Sequence, residues 1–265
     1  ISSDRCPTAI FLNFFKKVKH VIWIQDLWPE VFMAVEAPKT KLFYDSVESM
    51  MKFIYKRCDL ILIQSREFQQ NIIKLGVNKN KIKYFPNWAE NFFIPLDSEL
   101  ASTEGIVIPG SDTFKIMFAG NIGAAQCFDI ILEAAIKLKS KKISWIILGD
   151  GRRKKWLDEQ IKIHSLQNNI FTLGNKPVKD MPFYYSLADV MLVSLEPHPV
   201  FSAWIPGKIQ SYLACGKPIL ALLSGAGAQV IKDSKSGFSI DSGKTDELVS
   251  KVEDLSMMHR VRFIK

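Results

Sequence analysis

Residues 115–126 read Lys115-Ile-Met-Phe-Ala-Gly-Asn-Ile-Gly-Ala-Ala-Gln126, an apolar run followed at once by a turn that contains two glycines. The run is typical of a buried strand, and residues 127–138 have the apolar spacing of a helix. Glycines in such a turn let the backbone approach a ligand, and the free N–H groups at a helix start favour an anion such as phosphate. A tight turn without a ligand explains this single motif as well, so both interpretations stay open here.

Five further apolar runs follow the first, and helical segments separate most of them. They are residues 143–148, 170–173, 189–193, 218–222 and 237–240, the last being the weakest. Strands that alternate with helices predict a doubly wound parallel α/β sheet. Because ligands of such sheets bind beyond the carboxyl ends of the strands, we expect four turns to meet at one crevice. These turns are residues 120–126, 149–151, 174–176 and 206–211.

A loop rich in turn-forming residues, 95–112, precedes this block and predicts a domain boundary. We divide the chain into residues 1–108 and 109–265. In the first part, residues 21–25, 60–63 and 81–85 are predicted strands, and residues 41–56 are a predicted helix. Three strands are too few for a complete open sheet. The first part is therefore predicted to be a partial Rossmann-like domain.

The composition is that of a globular protein: 48% of the 265 residues are hydrophobic and 23% are charged. The net charge of +8 suits an anionic partner without choosing among nucleotides, nucleic acids and membrane surfaces. No apolar run has the length of a membrane span, and we expect a cytoplasmic protein. The cysteines have no paired spacing, which argues against a zinc site and a disulfide scaffold. They are Cys6, Cys58, Cys127 and Cys215.

Two other turns carry basic residues. Residues 205–218 predict a helix that opens at Pro206 and ends at Gly216, with Lys208 in its first turn. A lysine there can neutralise a phosphate, although a surface lysine on an ordinary connection would look the same. In residues 148–155, Asp150 is placed to cap the next helix, and four basic residues follow the second glycine. A solvated basic face explains that turn best.

Taken together, these motifs resemble the donor-binding domain of family 4 glycosyltransferases, which have the two-Rossmann GT-B fold. The matching segments are residues 118–126, 148–151, 171–176, 206–218 and 225–228. Residues 22–30 and 83–90 resemble the late N-terminal domain and the interdomain connection of the bacterial O-antigen and capsule branch, whose relatives include N-acetyl-fucosamine transferases. The resemblance implies an α/β GT-B fold with a complete C-terminal Rossmann-like domain and a partial N-terminal one.

The resemblance also implies a function: retaining transfer of a sugar, in this branch an N-acetylated amino sugar, from a UDP-sugar to a lipid-linked saccharide. Lys208 would hold the diphosphate, and the backbone of Asn175–Val178 would bind the base. Ser211 would lie near the ribose, and Asp26 would belong to the acceptor side. The implied donor-binding residues are Gly120, Asn121, Gly123, Asn175, Lys176, Val178, Lys208, Ser211, Gly225, Ala226 and Gly227. The resemblance names no catalytic residue, metal, cofactor or nucleic-acid partner, and it is compatible with peripheral contact at the inner membrane.

The chain departs from the family pattern in three respects. The loop at residues 120–126 has no lysine or arginine where many members place phosphate-binding cations. Many members bind the donor with two glutamates, at positions that Ala203 and Ser211 occupy here. Members also have about half a domain before the position of Ile1 and a further helix after Lys265, so we expect a shortened chain. Two alternatives follow from the same residues, an inactive nucleotide-sugar-binding remnant and a UDP-sugar 2-epimerase-like enzyme.

Overall fold

The computed structural model describes residues 18–33 and 40–262, which form two compact units. The first unit holds the described residues up to Asn87 together with His198–Ile205, and the second holds Trp88–Pro197 and the chain from Pro206 onward. Residues 88–108 thus group with the second unit by their contacts. Such grouping does not test independent folding, so the domain division at residue 108 stays a prediction. Cys6 lies outside the described residues.

The described residues of the first unit form a three-stranded parallel sheet, two longer helices and one helix of four residues. Its elements are β1 (Val21–Ile24), α1 (Lys41–Arg57), β2 (Leu60–Ile63), α2 (Phe68–Lys74) and β3 (Ile82–Tyr84), with short 3-10 turns at Glu30–Met33 and Lys79–Lys81 and a four-residue helix at Pro199–Ser202. The strands lie in the order β1-β2-β3, and Ile61 pairs with both Ile22 and Ile82. The three predicted strands are confirmed.

Alternate residues of β1 and β2 build the core of this unit. Ile22 and Ile61 are buried against the inner face of α1, which contributes Met51, Ile54 and Tyr55. This two-residue alternation follows from the strand period, whereas the spacing of the α1 residues follows from the helical period.

The second unit has six parallel strands. Its elements are α3 (Ser98–Thr103), β4 (Phe114–Ala119), α4 (Phe128–Lys137), β5 (Ile143–Leu148), α5 (Lys154–Ile163), β6 (Ile170–Gly174), α6 (Met181–Ser186), β7 (Val190–Ser194), α7 (Lys208–Ala214), β8 (Ile219–Leu222), α8 (Ala226–Ser234), β9 (Gly237–Ile240) and α9 (Thr245–Arg262), with 3-10 turns at Ala124–Gln126 and Val178–Asp180. All six predicted strands form, each within one residue of its predicted ends.

The strand order in this sheet is β6-β5-β4-β7-β8-β9, which is the Rossmann order. The chain moves outward in one direction from β4 to β6 and in the other from β7 to β9, so the switch point lies between β4 and β7. Both faces of the central strands are covered, and β5, β7 and β8 are buried along their whole length. Ligands of this topology bind at the carboxyl ends beside the switch point.

Asp150 does not cap the helix after β5, so that prediction was wrong. The helix α5 begins at Lys154, with Arg153 at its N-cap and no side-chain cap bond. The backbone first makes a turn in which the N–H of Arg153 donates to the Ile122 carbonyl at 3.0 Å. The carboxylate of Asp150 accepts from the N–H of Gly151 at 2.7 Å instead.

Within the described ranges, no helix combines the length and the apolar character that crossing a bilayer demands.

The carboxyl ends of β4, β5 and β6 are joined by backbone bonds. The N–H of Gly120 donates to the Leu148 carbonyl, and the N–H of Gly149 donates to the Gly174 carbonyl, both at 2.9 Å. Gly149 has φ +127°, and a β-carbon on it would lie 1.9 Å from the carbonyl oxygen of Gly120. A glycine at residue 149 therefore sets how closely the first two turns approach each other.

We predict that Gly149→Ala lowers the free energy of unfolding by roughly 3 kcal/mol, because a backbone clash adds to the strained φ. Urea unfolding followed by circular dichroism measures this loss. Gly105→Ala is the matched control, since Gly105 has φ +70° with open space around its β-carbon position. It should cost roughly 1 kcal/mol. Equal losses in the two variants would show that the approach of the turns is not what the structure requires.

Candidate functional site

The turn after β4 is held by its own side chains. The side-chain oxygen of Gln126 accepts from the N–H of Gly123 at 3.0 Å and from the side-chain amide of Asn121 at 3.4 Å. The carbonyl of Gln126 in turn accepts from the hydroxyl of Ser194, at the end of β7, at 2.7 Å. A β-carbon on Gly123 would meet the Asn121 and Gln126 side chains at 2.5 and 2.7 Å. The turn is therefore fixed before any ligand arrives.

Tyr212 of α7 occupies the switch point between β4 and β7. Its hydroxyl donates to the carbonyl of Ala119 at 3.3 Å and accepts from the N–H of Ala119 at 3.2 Å. The last residue pair between β4 and β7 is Phe118 with Leu192. The backbone groups of Ala119, one residue further on, therefore form hydrogen bonds with a side chain instead of with β7. The side chain of Tyr212 is fully buried.

Lys208 stands one helical turn before Tyr212 and therefore on the same side of α7. Its ammonium lies 3.8 Å from the centre of the Phe118 ring. A β-carbon on Gly120, which has φ +138°, would lie 2.8 Å from the same nitrogen. The ammonium of Lys208 thus sits directly beside the first glycine of the turn.

The ammonium of Lys208 has no ion-pair partner among the residues that the structure describes. Burial lowers the pKa of Lys208 to about 7, because the charged form is poorly solvated there. The face of Phe118 supplies a weak attraction for a cation and does not replace a counter-charge. An anion at Gly120 would restore the charged form.

A cavity of about 220 Å³ opens next to Gly120 and lies wholly within the second unit. Its walls combine glycines and one amide with apolar and aromatic side chains. It is lined by Phe93, Ala119, Gly120, Leu148, Gly149, Asn175, Lys176, Val178, Met181 and Tyr185. The predicted convergence of turns at one crevice is thus observed for the turns after β4, β5 and β6, and Lys208 of the fourth turn reaches Gly120.

Three aromatic rings support one wall of this cavity. Tyr185 stacks on Phe93 with ring centres 6.0 Å apart and meets Tyr212 edge to face at 5.1 Å. Burial raises the pKa of Tyr185 to about 12, so its hydroxyl stays protonated. Neither Tyr185 nor Phe93 is among the site residues predicted from the sequence. Both line the cavity.

The remaining donor-side predictions are placed as follows. Asn121 and Gly123 belong to the turn after β4 but do not line the cavity. Ser211 is buried, and its hydroxyl donates to the Lys208 carbonyl at 2.9 Å. Gly225, Ala226 and Gly227 form the start of α8 and are not among the residues of the cavity wall. The individual roles that we predict for all of these residues stay predictions.

Two of the four basic residues in the turn before α5 form ion pairs within the chain, whereas Arg152 and Lys155 are exposed. Arg153 forms two hydrogen bonds with the carboxylate of Asp129, at 2.5 and 2.9 Å, and its guanidinium lies over the Trp156 ring. Lys154 pairs with Asp158 one turn further along α5. The interpretation of this turn as a solvated basic face thus fits Arg152 and Lys155 and stays a prediction for the turn as a whole.

Asp26 lies in the first unit, two residues after the end of β1. Partial desolvation raises the pKa of its carboxyl group above the ordinary range. The side-chain amide of Gln64, directly after β2, donates to the neighbouring Gln25 carbonyl at 3.0 Å. Asp26 thus stands at the carboxyl end of its sheet, the edge where ligands of parallel sheets bind.

Across residues 18–33 and 40–262, no group of three or more histidine, cysteine, aspartate or glutamate side chains is arranged to hold a metal ion. Cys58, Cys127 and Cys215 are buried, and the thiol of Cys58 donates to the Ile54 carbonyl at 3.4 Å.

The family model of glycosyl transferases group 1 matches residues 107–263, which include the six-stranded sheet and all the residues that line the cavity except Phe93. The chain belongs to this family. Its α/β fold is that of the GT-B glycosyltransferases, which confirms the predicted fold class.

The chain has homologues in bacterial polysaccharide biosynthesis. The probable glycosyltransferase WbjE of Pseudomonas aeruginosa is 30% identical over 232 residues, which are 84% of this chain and 55% of WbjE. The glycosyl transferase WcaI of Escherichia coli strain K12, whose name assigns it to colanic acid biosynthesis, is 26% identical over 57% of this chain and 37% of its own length. The chain spans about half the length of these relatives or less.

A similar solved structure is that of Anabaena HepE in complex with UDP-glucose. The TM-score is 0.75 at 19% sequence identity, and the match covers 95% of this chain and 66% of HepE. At that identity the likeness shows the shared fold.

The lowered pKa of Lys208 predicts how pH affects stability. Below pH 7 the folded and the unfolded chain both carry this proton, whereas between about pH 7 and the ordinary value of 10.5 only the unfolded chain does. The folded state therefore gains stability from this residue as pH rises above 7. The free energy of unfolding of the wild type, minus that of Lys208→Met, should increase by up to about 1.4 kcal/mol per pH unit between pH 7 and 9.5.

Urea unfolding at several pH values measures this difference. Lys232→Met is the control, because Lys232 is exposed on α8. Its difference from the wild type is the baseline for the difference measured with Lys208→Met. A flat difference for Lys208→Met would mean that the ammonium remains solvated.

Proposed function

We propose that the chain supplies the donor-binding part of a retaining glycosyltransferase whose donor is a UDP-sugar. One observation carries this proposal: the ammonium of Lys208 sits beside Gly120 without a counter-charge among the described residues. A diphosphate bound at the turn after β4 supplies that charge. Lysine binds phosphate as a point charge, and a hydrogen bond to a charged group contributes about 1.5–3 kcal/mol.

The cavity next to Gly120 suits the nucleoside half of such a donor. Phe93 and Tyr185 offer an apolar wall for a planar base, and the turn at Asn175–Val178 offers backbone and amide groups to the base edge. A mostly apolar cleft with a few polar groups is the usual composition of a small-molecule site. The transferring sugar would then lie next to the diphosphate, along the turn that contains Gly120.

Similar proteins support this choice of donor. HepE, which shares the fold, has been solved with UDP and with UDP-glucose. WcaI is named for colanic acid, a polysaccharide, and TuaH of Bacillus subtilis strain 168, which is 27% identical over 176 residues, is named for teichuronic acid. Homologues in bacterial polysaccharide biosynthesis support sugar transfer as the reaction.

For the acceptor side we propose a lipid-linked saccharide, an N-acetylated amino sugar as the transferred group, and a place in bacterial surface polysaccharide synthesis. Asp26, at the carboxyl end of β1, is our candidate for contact with the acceptor. The site of action would be the cytoplasm, with peripheral contact at the inner membrane. These assignments rest on the resemblance to the O-antigen and capsule branch.

The proposed chemistry needs stabilisation of the leaving diphosphate. As the bond between the sugar and the diphosphate breaks, negative charge accumulates on the departing phosphate. Lys208, whose ammonium lies beside Gly120, is positioned in advance to stabilise this charge. This proposal requires no metal or cofactor and no nucleic-acid partner.

We predict that Lys208→Met weakens UDP binding about 10- to 100-fold, because it removes the charge and retains an apolar side chain over Phe118. Isothermal titration calorimetry with UDP measures the affinity. The matched control is Lys232→Met. Lys217 is less suitable, since its ammonium holds the carbonyls of Ser186 and Ala188 at 2.8 Å each. Unchanged UDP affinity in Lys208→Met, in a folded protein, would contradict the proposed donor site.

A further inference from the structure

The outer face of α1 carries large apolar side chains. Leu42, Met50 and Phe53 are 78%, 42% and 48% exposed, and we call these three residues the outer ridge. Leu42 and Phe53 lie on the side opposite Met51, Ile54 and Tyr55, which face the core of the first unit, and Met50 lies at the border between the two faces. A surface helix of a globular domain normally presents polar residues on its outer side. The ridge is therefore an unusual feature of this helix.

Cations surround the ridge at the carboxyl-terminal end of α1. Lys52, Lys56 and Arg57 are all exposed, and none of them forms an ion pair with a described residue. The guanidinium of Arg57 lies 3.5 Å from the centre of the Phe53 ring. The acidic residues of α1, Asp45 and Glu48, precede this end. The last two turns of the helix thus combine apolar side chains with positive charge only.

The neighbouring turns of the first unit extend this positive surface. The ammonium of Lys81 donates to the carbonyl of Cys58 at 2.9 Å and to that of Lys56 at 3.3 Å, which places it at the end of α1. The aliphatic part of Lys56 packs against Gly76, since a β-carbon there would lie 3.3 Å from its Cε. Lys74 and Lys79 flank Gly76 in the sequence.

We propose that the outer ridge and its surrounding cations bind the surface of an anionic lipid bilayer. Phenylalanine, leucine and methionine side chains enter the boundary between headgroups and acyl chains, while lysine and arginine attract anionic headgroups. Charge complementarity selects this occupant, because a second copy of the chain would place the same cations against each other. This proposal rests on the membrane contact proposed above and assigns a surface to it. Lipid binding and UDP binding are measured separately, so that either can fail alone.

The test is co-sedimentation of the 265-residue chain with vesicles of phosphatidylcholine alone or of phosphatidylcholine with 30% phosphatidylglycerol, at low and at physiological salt. The wild type should bind the anionic vesicles at least tenfold more tightly, and added salt should weaken this binding. The charge-reversed variant Lys52→Glu/Lys56→Glu should lose at least tenfold in affinity for them. The variant Met50→Ser/Phe53→Ser should lose several-fold on the same vesicles.

Two controls match these variants in charge and in exposed apolar area. Lys162→Glu/Lys232→Glu reverses two exposed lysines of the second unit, and Met257→Ser/Met258→Ser removes two methionines that are each 60% exposed on α9. Both controls should bind vesicles like the wild type, and all variants should bind UDP equally well. Equal binding of wild type to both vesicle types, or losses in the controls as large as in the α1 variants, would overturn the proposal. A concentration-dependent dimer that only the α1 variants abolish would also overturn it and assign the ridge to contact between copies.

Discussion

Neighbouring strands of the larger sheet separate at the point where the chain switches direction, and the backbone groups exposed there need a partner. The pairing of β4 with β7 ends at Phe118 and Leu192. Beyond this pair, the hydroxyl of Tyr212 forms hydrogen bonds with both the N–H and the carbonyl of Ala119. A buried backbone group without a partner costs about 1–3 kcal/mol, so this contact is needed where the strands diverge. It also ties α7 to the end of β4.

The position of Lys208 follows from this tie. Because Lys208 precedes Tyr212 by four residues, both side chains leave α7 on the same side. Anchoring the tyrosine at Ala119 therefore brings the lysine to Gly120, where its ammonium meets the Phe118 ring. The absence of a β-carbon at Gly120 leaves the space that the ammonium fills. The proposed phosphate site thus depends on one hydroxyl, one glycine and the helical repeat.

Much of this arrangement could be predicted from the sequence, because it depends on local patterns. Apolar runs between helical segments predicted the strands, and glycines after β4, β5 and β6 predicted the turns. The aromatic wall could not be predicted, since Phe93 and Tyr185 are 92 positions apart and meet only in the folded chain. The predicted cap at Asp150 was wrong because the N–H of Arg153 donates to the Ile122 carbonyl of the preceding turn, and α5 begins only after this bond. Such contacts leave no periodic signal.

The central claim is that the turns after β4, β5 and β6 and the start of α7 form one site for a nucleoside diphosphate. Titration of the isotope-labelled chain with UDP, followed through the backbone amide signals by NMR, tests it most directly. We expect saturable shifts that concentrate at Gly120–Gly123, Gly149, Asn175–Val178 and Lys208. Saturable shifts confined to other parts of the chain, or none at millimolar UDP, would contradict this account.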